Sequence, residues 1–379
     1  MIRVLALTSS GLGHLFPMVP SLWAARCAGA TVLVGATGPA VAGSVGAGIP
    51  AVDLFPDGMD ELSAIRASFL RRMPGAAEGE RFALAMRLFA ALSDRVADAA
   101  VALGRAWRPD VVLHTALQPA GPLVAAVLGV PAVEHGFQLT GVARTQSLME
   151  PHLAQACERH GVPGLRDVDE ALDVCPPSMF PGGPTGLALG YRPYGGARAL
   201  DPAEFTERPG RRRALVTLGT MADHGELAPL LLRTLAKHDL DVLVAGELPV
   251  GTDPDSVLAH GWLPLETVLP GCDVLVHHGG AGSTLAALSR GVPQVIVSRD
   301  ADHAFNGEAI TRRGAGVFAV PDGGDTAVLD EALDHVLHDP RPSKAAREVA
   351  EEIAGLPGPE QVVPDLLTEL TTARRREYA

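Results

Sequence analysis

The sequence predicts an α/β protein made of two Rossmann-like domains, and three observations carry that reading. The first is length: 379 residues exceed one ordinary domain and make two the natural division. The second is an internal echo. "RVLALTSSGLGHLFPMVPSL" starts at Arg3 and "RALVTLGTMADHGELAPLLL" starts at Arg213. Each reads as a buried strand, a glycine-containing turn with a histidine (His14, His224) and an apolar helix, and a strand follows at the same offset in each, "VLVGA" from Val32 and "VLVAG" from Val242. Strand, glycine turn, helix and strand at this spacing is the signature of a parallel βαβ unit. The third is that more such units follow in each half. "PDVVLHT", "PAGPLVAAVLG" and "VPAVEHG" give strand, helix, strand in the first half, as "CDVLVHHGG", "STLAALSRG" and "VPQVIVS" do in the second.

The boundaries follow from composition. Residues 1–195 form the first domain and 213–358 the second. Between them, 196–212 is a linker in a stretch rich in Gly, Pro and Arg. The stretch 55–95 is mostly helical, with apolar residues at helical spacing in "RFALAMRLFAALSDRVADAAVALGRAW". Residues 359–379 read as a final amphipathic helix.

Composition also removes whole classes of function. A formal net charge of -13 argues against a general nucleic-acid or anionic-membrane surface, because both need a basic footprint. No run of about 18 apolar residues is present, so a membrane span is not expected. The apolar run at the N-terminus is short and lacks a cleavage site, which favours a first strand over a signal peptide. Cys27, Cys157, Cys175 and Cys272 are widely spaced with no CxxC, the pattern of reduced thiols in a cytoplasmic chain rather than of disulfides or zinc ligands. The triplet "DAD" at 300–302 spells a metal-dependent DxD, but "DVD", "DLD" and "DPD" also occur, so it carries no weight and no metal is expected.

Chemistry concentrates at two loops that follow strands, "TSSGLGH" and "HHGGAGST". In open parallel sheets, ligands bind beyond the carboxyl ends of the strands. The second loop has the parts of an anion cradle: glycines that let the backbone approach, free amides at a helix start, the helix dipole, the hydroxyls of Ser283 and Thr284, and the His278 ring. No lysine follows the glycines, so it is not a Walker loop, and the spacing fits a nicotinamide fingerprint poorly. Upstream, Trp262 in "HGWLPLETVL" reads either as a platform for a nucleobase or as a core tryptophan. Downstream, Asp302 and His303 in "SRDADHAFNGE" read as partners for sugar hydroxyls or as a helix cap.

Taken together, "WLPL", "HHGGAGST", "GVPQVIV" and "DADHAFNGE" in this order, with "GLGHLFPMVP" near the start, resemble the nucleotide-sugar-dependent GT-B glycosyltransferases, and within them the bacterial enzymes that glycosylate antibiotics and related natural products. The resemblance spans essentially the whole chain. It implies two Rossmann-like domains facing across a cleft, the first binding the acceptor and the second the nucleotide sugar, with the C-terminal helix returning to the first domain. It implies inverting, metal-independent transfer of a deoxysugar to an aglycone hydroxyl.

The resemblance also assigns roles. Trp262 would stack on the base and the backbone of Leu263 would read its edge. His278, Gly280, Ala281, Gly282, Ser283 and Thr284, with Thr220 nearby, would hold the diphosphate. Asp302 and His303 would meet the donor sugar. His14 would be the general base, a task suited to an imidazole. Phe55, Phe89 and Phe137 are acceptor-pocket candidates, although each is also a natural core residue.

Three departures from the family pattern matter. Many relatives orient the catalytic histidine with an Asp where this chain has Thr115; His114 is a weak substitute. UDP-sugar users often place a ribose-binding Glu where this chain has Ala286, which favours a dTDP donor because deoxyribose lacks the 2'-hydroxyl. His303 stands where Gln is usual. Two rival readings are a GT-B-like nucleotide-sugar epimerase and a non-catalytic glycosyltransferase-like activator protein. The long helical stretch argues against the first; the intact His14 and "HHGGAGST" argue against the second. The expected partners are a nucleotide-sugar donor and a small-molecule aglycone, with no nucleic acid and no membrane; a homodimer is left open.

Overall fold

The short runs of Val, Leu, Ile and Ala noted above are buried on both faces, as the strands of a parallel sheet covered by helices must be. The computed structural model describes every residue except 74–77, 140–144, 181, 184, 206–209, 218, 220–226, 299–300, 322–325 and 378–379. The chain divides into two compact units. The first comprises Met1–Cys175, Gly182–Gly190 and Pro357–Ala379, and the second Pro176–Pro181 and Tyr191–Leu356.

In the first unit the strands are β1 (Arg3–Leu7), β2 (Thr31–Ala36), β3 (Ala51–Asp53), β4 (Val111–Thr115), β5 (Ala132–His135), β6 (Glu170–Asp173) and β7 (Leu187–Ala188). They form one sheet in the order β3-β2-β1-β4-β5-β6-β7, with all pairs parallel. In the second unit β8 (Arg212–Thr217), β9 (Leu240–Ala245), β10 (Ala259–Gly261), β11 (Val274–His277), β12 (Gln294–Val297) and β13 (Gly316–Ala319) form a sheet in the order β10-β9-β8-β11-β12-β13, again all parallel. Both are the doubly wound order in which the chain reverses direction between its first and fourth strands. That reversal leaves a crevice outside the carboxyl ends of β1 and β4 in one unit and of β8 and β11 in the other. The two loops singled out from the sequence both lie at these switch points.

The helices follow their periodicity. The stretch expected to be helical gives Met59–Leu70 and the 30-residue helix Glu78–Trp107. One stripe of the latter, including Met86, Ala90, Ala97 and Val101, is buried in the first unit's core. The helix Ala120–Leu128, after β4, and the helix Ala281–Arg290, after β11, end alike. Gly129 (φ 59°) and Gly291 (φ 67°) take the left-handed C-terminal position, which a residue with a Cβ adopts only at a cost. Each is followed by Val-Pro and the next strand. The last helix, Pro359–Glu377, packs on the helix Val19–Cys27 through buried Val363, Leu366 and Leu367 and so belongs to the first unit. Among the described residues no helix is long and apolar enough to cross a membrane. Cys27, Cys157, Cys175 and Cys272 are all free thiols.

Candidate functional site

In the second unit, β11 ends in two histidines with different fates. His277 is fully buried. The Gly279 N–H donates to its Nδ1 at 3.2 Å, so the ring proton sits on Nε2 and donates to Gln294 Oε1 at 2.9 Å. Gln294 Nε2 in turn donates to the Thr284 carbonyl at 3.3 Å. Burial lowers the His277 pKa to about 3, so this imidazole is a neutral strut.

His278 is half-buried and belongs to the turn. Its ring lies so close to two glycines that no side chain fits. An added Cβ would come 2.7 Å from His278 Cε1 at Gly219 and 2.4 Å from Nε2 at Gly280. Gly219 also has φ +81°. Because β8 and β11 are neighbours, with Thr217 opposite His277, the turn after β8 forms one wall for the His278 ring. The His303 ring meets it edge-on, centroids 4.8 Å apart, and His303 Nδ1 hydrogen-bonds Ser298 Oγ at 3.1 Å.

The helix Ala281–Arg290 starts at Gly280 with no side-chain cap. Its first helical bond runs from Thr284 N–H to Gly280 O at 3.0 Å. The amides of Ala281, Gly282 and Ser283 therefore precede the helical ladder, and all three residues are half-exposed. Three outward amides, the positive end of a helix dipole and an adjacent imidazole make a site for an anion. Thr284 corrects the sequence-based expectation. It is fully buried and its hydroxyl donates back to Gly280 O at 3.0 Å, so it is a structural member of the turn and not a donor to ligand.

Asn306 is a residue that sequence reasoning passed over although it stands within "DADHAFNGE". Buried, it donates from Nδ2 to Gly279 O at 2.7 Å and fixes the turn from behind. Gly279 itself has φ +94°, and a Cβ there would meet Ile296 at 2.9 Å and His303 at 3.0 Å. Thr220 lies outside the described residues, as does the side chain of Asp302; only the latter's place in the helix Ala301–Arg313 is described.

Trp262 follows β10 and is 42% exposed, so it is not a core tryptophan. Its indole is held by the segment through which the chain enters the second unit. Trp262 Nε1 donates to Gly195 O at 2.8 Å, and a Cβ on Gly196 (φ +83°) would lie 2.9 Å from Nε1. Arg198 donates from Nε to the Trp262 carbonyl and pairs through Nη2 with buried Glu204 at 2.7 Å. The "YGGAR" run is the only sequence signal for this clamp, and it reads as loop chemistry. Leu263 turns its side chain into the core, in the same apolar cluster as Ala286.

In the first unit, β1 runs into the turn that carries His14 on the short helix Leu12–Leu15. The His14 ring stacks on Phe137, with centroids 4.4 Å apart and planes at 29°, and tilts against Phe89 at 5.4 Å. Loss of solvent, then the charge of Arg66, lower its pKa to about 4, so the ring is a free base at neutral pH. Its Nδ1 is buried and has no hydrogen-bond partner among the described residues. Stacking on phenylalanines, not a carboxylate, sets its orientation there.

Neither residue considered for the missing Asp reaches the ring. Thr115 is fully buried with its hydroxyl unpartnered among the described residues. His114 bonds the Thr115 carbonyl through Nδ1 at 3.1 Å, and burial lowers its pKa to about 4. Of the three acceptor-pocket candidates, Phe89 and Phe137 are brought to His14. Phe55 instead packs on the unit's core and over Gly58, where a Cβ would come 1.9 Å from its ring.

With this geometry in place, comparison with known proteins is informative. Residues 23–219 match the family model of the Erythromycin biosynthesis protein CIII-like N-terminal domain, and residues 229–370 match the corresponding C-terminal domain. The chain is 38% identical over 391 aligned residues to the elloramycin glycosyltransferase ElmGT of Streptomyces olivaceus, covering 97% of each. Among solved structures it is similar to the glycosyltransferase SnogD from Streptomyces nogalater, with 31% identity, TM-score 0.81, and coverage of 97% of this chain and 99% of that one. It is also similar to the Streptomyces sp. SF2575 glycosyltransferase SsfS6 complexed with thymidine diphosphate, with 30% identity, TM-score 0.79, and coverage of 97% and 100%.

Proposed function

We propose, for a chain that belongs to the EryCIII-like family of bacterial GT-B glycosyltransferases and transfers sugar to natural-product aglycones, an inverting, metal-independent mechanism with a dTDP-deoxysugar as donor. The observation that carries this reading is the uncapped start of the helix Ala281–Arg290 beside a His278 ring wedged between Gly219 and Gly280. Developing negative charge on a departing diphosphate falls on amides and an imidazole already in position, which is the task a metal ion performs elsewhere. The half-exposed Trp262 offers its ring to the base. Buried Ala286 offers no carboxylate to a ribose 2'-hydroxyl, and SsfS6, similar over its whole length, was crystallised with thymidine diphosphate.

His14 takes the proton of the acceptor hydroxyl as its oxygen attacks the anomeric carbon. The new C–O bond forms on the face opposite the diphosphate while the bond to the diphosphate breaks, and the electron pair leaves with that group. One displacement inverts the anomeric centre. Because the His14 pKa is held low by burial and by Arg66, the ring does not carry a proton of its own at neutral pH and is ready to accept one. Asp302 and His303 contact the donor sugar, and Phe89 and Phe137 line the acceptor side while orienting the base.

Three measurements test this. Proton NMR of the product should show an anomeric configuration opposite to that of the donor; retention overturns the single displacement. Transfer should survive EDTA. Thymidine diphosphate should bind more tightly than uridine diphosphate, and the reverse order removes the donor assignment.

A further inference from the structure

Trp262, the platform offered to the nucleobase, is anchored at both ends by one short segment of the second unit. Its indole Nε1 donates to Gly195 O at 2.8 Å, and its backbone carbonyl accepts from Arg198 Nε. The segment lies so close to residues 262–266 that neither glycine in it has room for a Cβ. At Gly195 a Cβ would come 2.7 Å from Glu266 Oε2 and 3.1 Å from Leu265 N, and at Gly196 it would come 2.9 Å from the indole Nε1.

Arg198 is itself fixed. Its Nη1 donates to Ala199 O at 2.6 Å, and its Nη2 pairs with Glu204 Oε2 at 2.7 Å. Glu204 is 7% exposed, and its other oxygen accepts from the Asp201 N–H at 3.0 Å. Every nitrogen of the guanidinium and both oxygens of the carboxylate are therefore engaged. Burying a carboxylate carries a desolvation cost that only a well-placed partner offsets. Yet the group this buried pair finally holds is not a core residue, because the indole remains 42% exposed. Fixing a half-exposed ring costs side-chain entropy, and a ring fixed in advance lowers the cost of ordering a ligand upon it.

We propose that Arg198, held by Glu204, is a positioning residue for nucleobase recognition: it sets the Trp262 ring in its stacking orientation and acts on the donor only through that ring. An arginine near a nucleotide site is ordinarily a phosphate ligand. This one is not, because its charge is paired with Glu204 and each of its nitrogens already donates within the protein. Gly195 O takes the indole N–H, so the ring offers a ligand its π-face and not a hydrogen bond. The chemistry selected is that of a planar base, and the arrangement contributes nothing to the grip on a diphosphate. The proposal rests on the reading that Trp262 stacks on the base of the donor.

The test titrates thymidine and inorganic pyrophosphate by calorimetry into the full chain, as wild type, Arg198→Met, Arg198→Lys and Trp262→Ala. Lysine keeps a charge for Glu204 but lacks the fork that also reaches the Trp262 carbonyl, so this variant keeps the test alive if Arg198→Met folds poorly. Both Arg198 variants should weaken thymidine about five- to tenfold, the scale of one hydrogen bond, and leave pyrophosphate within about twofold. In a background of Trp23→Phe and Trp107→Phe, the only other tryptophans, emission reports Trp262 alone. Its anisotropy should fall in both Arg198 variants, because a released side chain moves within nanoseconds. Unchanged thymidine affinity, unchanged anisotropy, or an equal loss of thymidine and pyrophosphate overturns the positioning role. Trp262→Ala separates the two levels. If it weakens thymidine while the Arg198 variants do not, the positioning role alone fails; if it leaves thymidine affinity unchanged, the reading of Trp262 as the base platform fails with it.

Discussion

The turns after β4 and after β11 occupy the same place in their two Rossmann units and do opposite things. Both precede a helix of similar length that ends in Gly-Val-Pro. After β11 the amides of Ala281, Gly282 and Ser283 face outward beside His278. After β4, "ALQPAG" leaves no such cradle. The Gly121 amide is spent on Gln118 O at 2.9 Å, Pro122 has no amide, and Ala120, Gly121 and Pro122 are all buried. The uncapped helix start after β11 offers amides that an anion could take up, whereas the turn after β4 offers none; the shared fold placed both turns and their residues made the difference.

The largest expected effect concerns acid. His114 and His135 in the first unit and His277 in the second are buried neutral, with pKa values lowered to about 4, 4 and 3 by loss of solvent. Their unfolded pKa is about 6.5. Between these values the unfolded chain binds more protons, so stability is complete above about pH 6.5 and falls as pH drops toward 4, by about 1.4 kcal/mol per pH unit for each such group. His14, whose pKa burial and then Arg66 lower to about 4, joins them, so the first unit holds three of the four and its calorimetric transition should move down faster on acidification. Transitions that shift in parallel would break the comparison.

Next in size is His14→Ala, expected to cut transfer by about 10²–10⁴-fold, the contribution of a positioned general base, with thymidine diphosphate affinity intact. If full activity remains, the base lies elsewhere. Gly280→Ala drives a methyl into His278 Nε2 and should weaken thymidine diphosphate binding about tenfold or more, whereas Gly121→Ala, whose Cβ would strike buried His114, should leave nucleotide affinity alone. Gly196→Ala should displace the indole clamp, lowering nucleotide affinity severalfold and changing the emission of Trp262. An unchanged spectrum would show that the clamp does not set the ring. The smallest effect belongs to Thr284→Val: the hydroxyl points back at Gly280, so nucleotide affinity should stay within about twofold.

What was legible in the sequence divides along physical lines. Strand and helix periodicity are local signals, and the echo between Arg3 and Arg213 gave both units and both switch points. The different characters of His277 and His278 could be inferred from their places at the end of a strand and the start of a turn. Thr284 was misjudged because the step from Ser283 is about 100° around the helix, enough to move a hydroxyl from solvent to core. The clamp on Trp262 joins residues 67 apart in the chain, and the bond from Gln118 to Thr8 joins residues 110 apart. No local pattern encodes such contacts. Asn306 was in plain view, but a buried amide bonded to a glycine carbonyl looks in sequence like any polar helix residue.

The central claim is that the turn after β11 grips a diphosphate, and the most direct measurement is calorimetric titration of thymidine diphosphate and of thymidine into wild type and His278→Ala. The account predicts that the substitution weakens thymidine diphosphate about tenfold or more, the loss of a hydrogen bond to a charged group, while thymidine, held at Trp262, binds as before. Equal affinity of both proteins for thymidine diphosphate would contradict it.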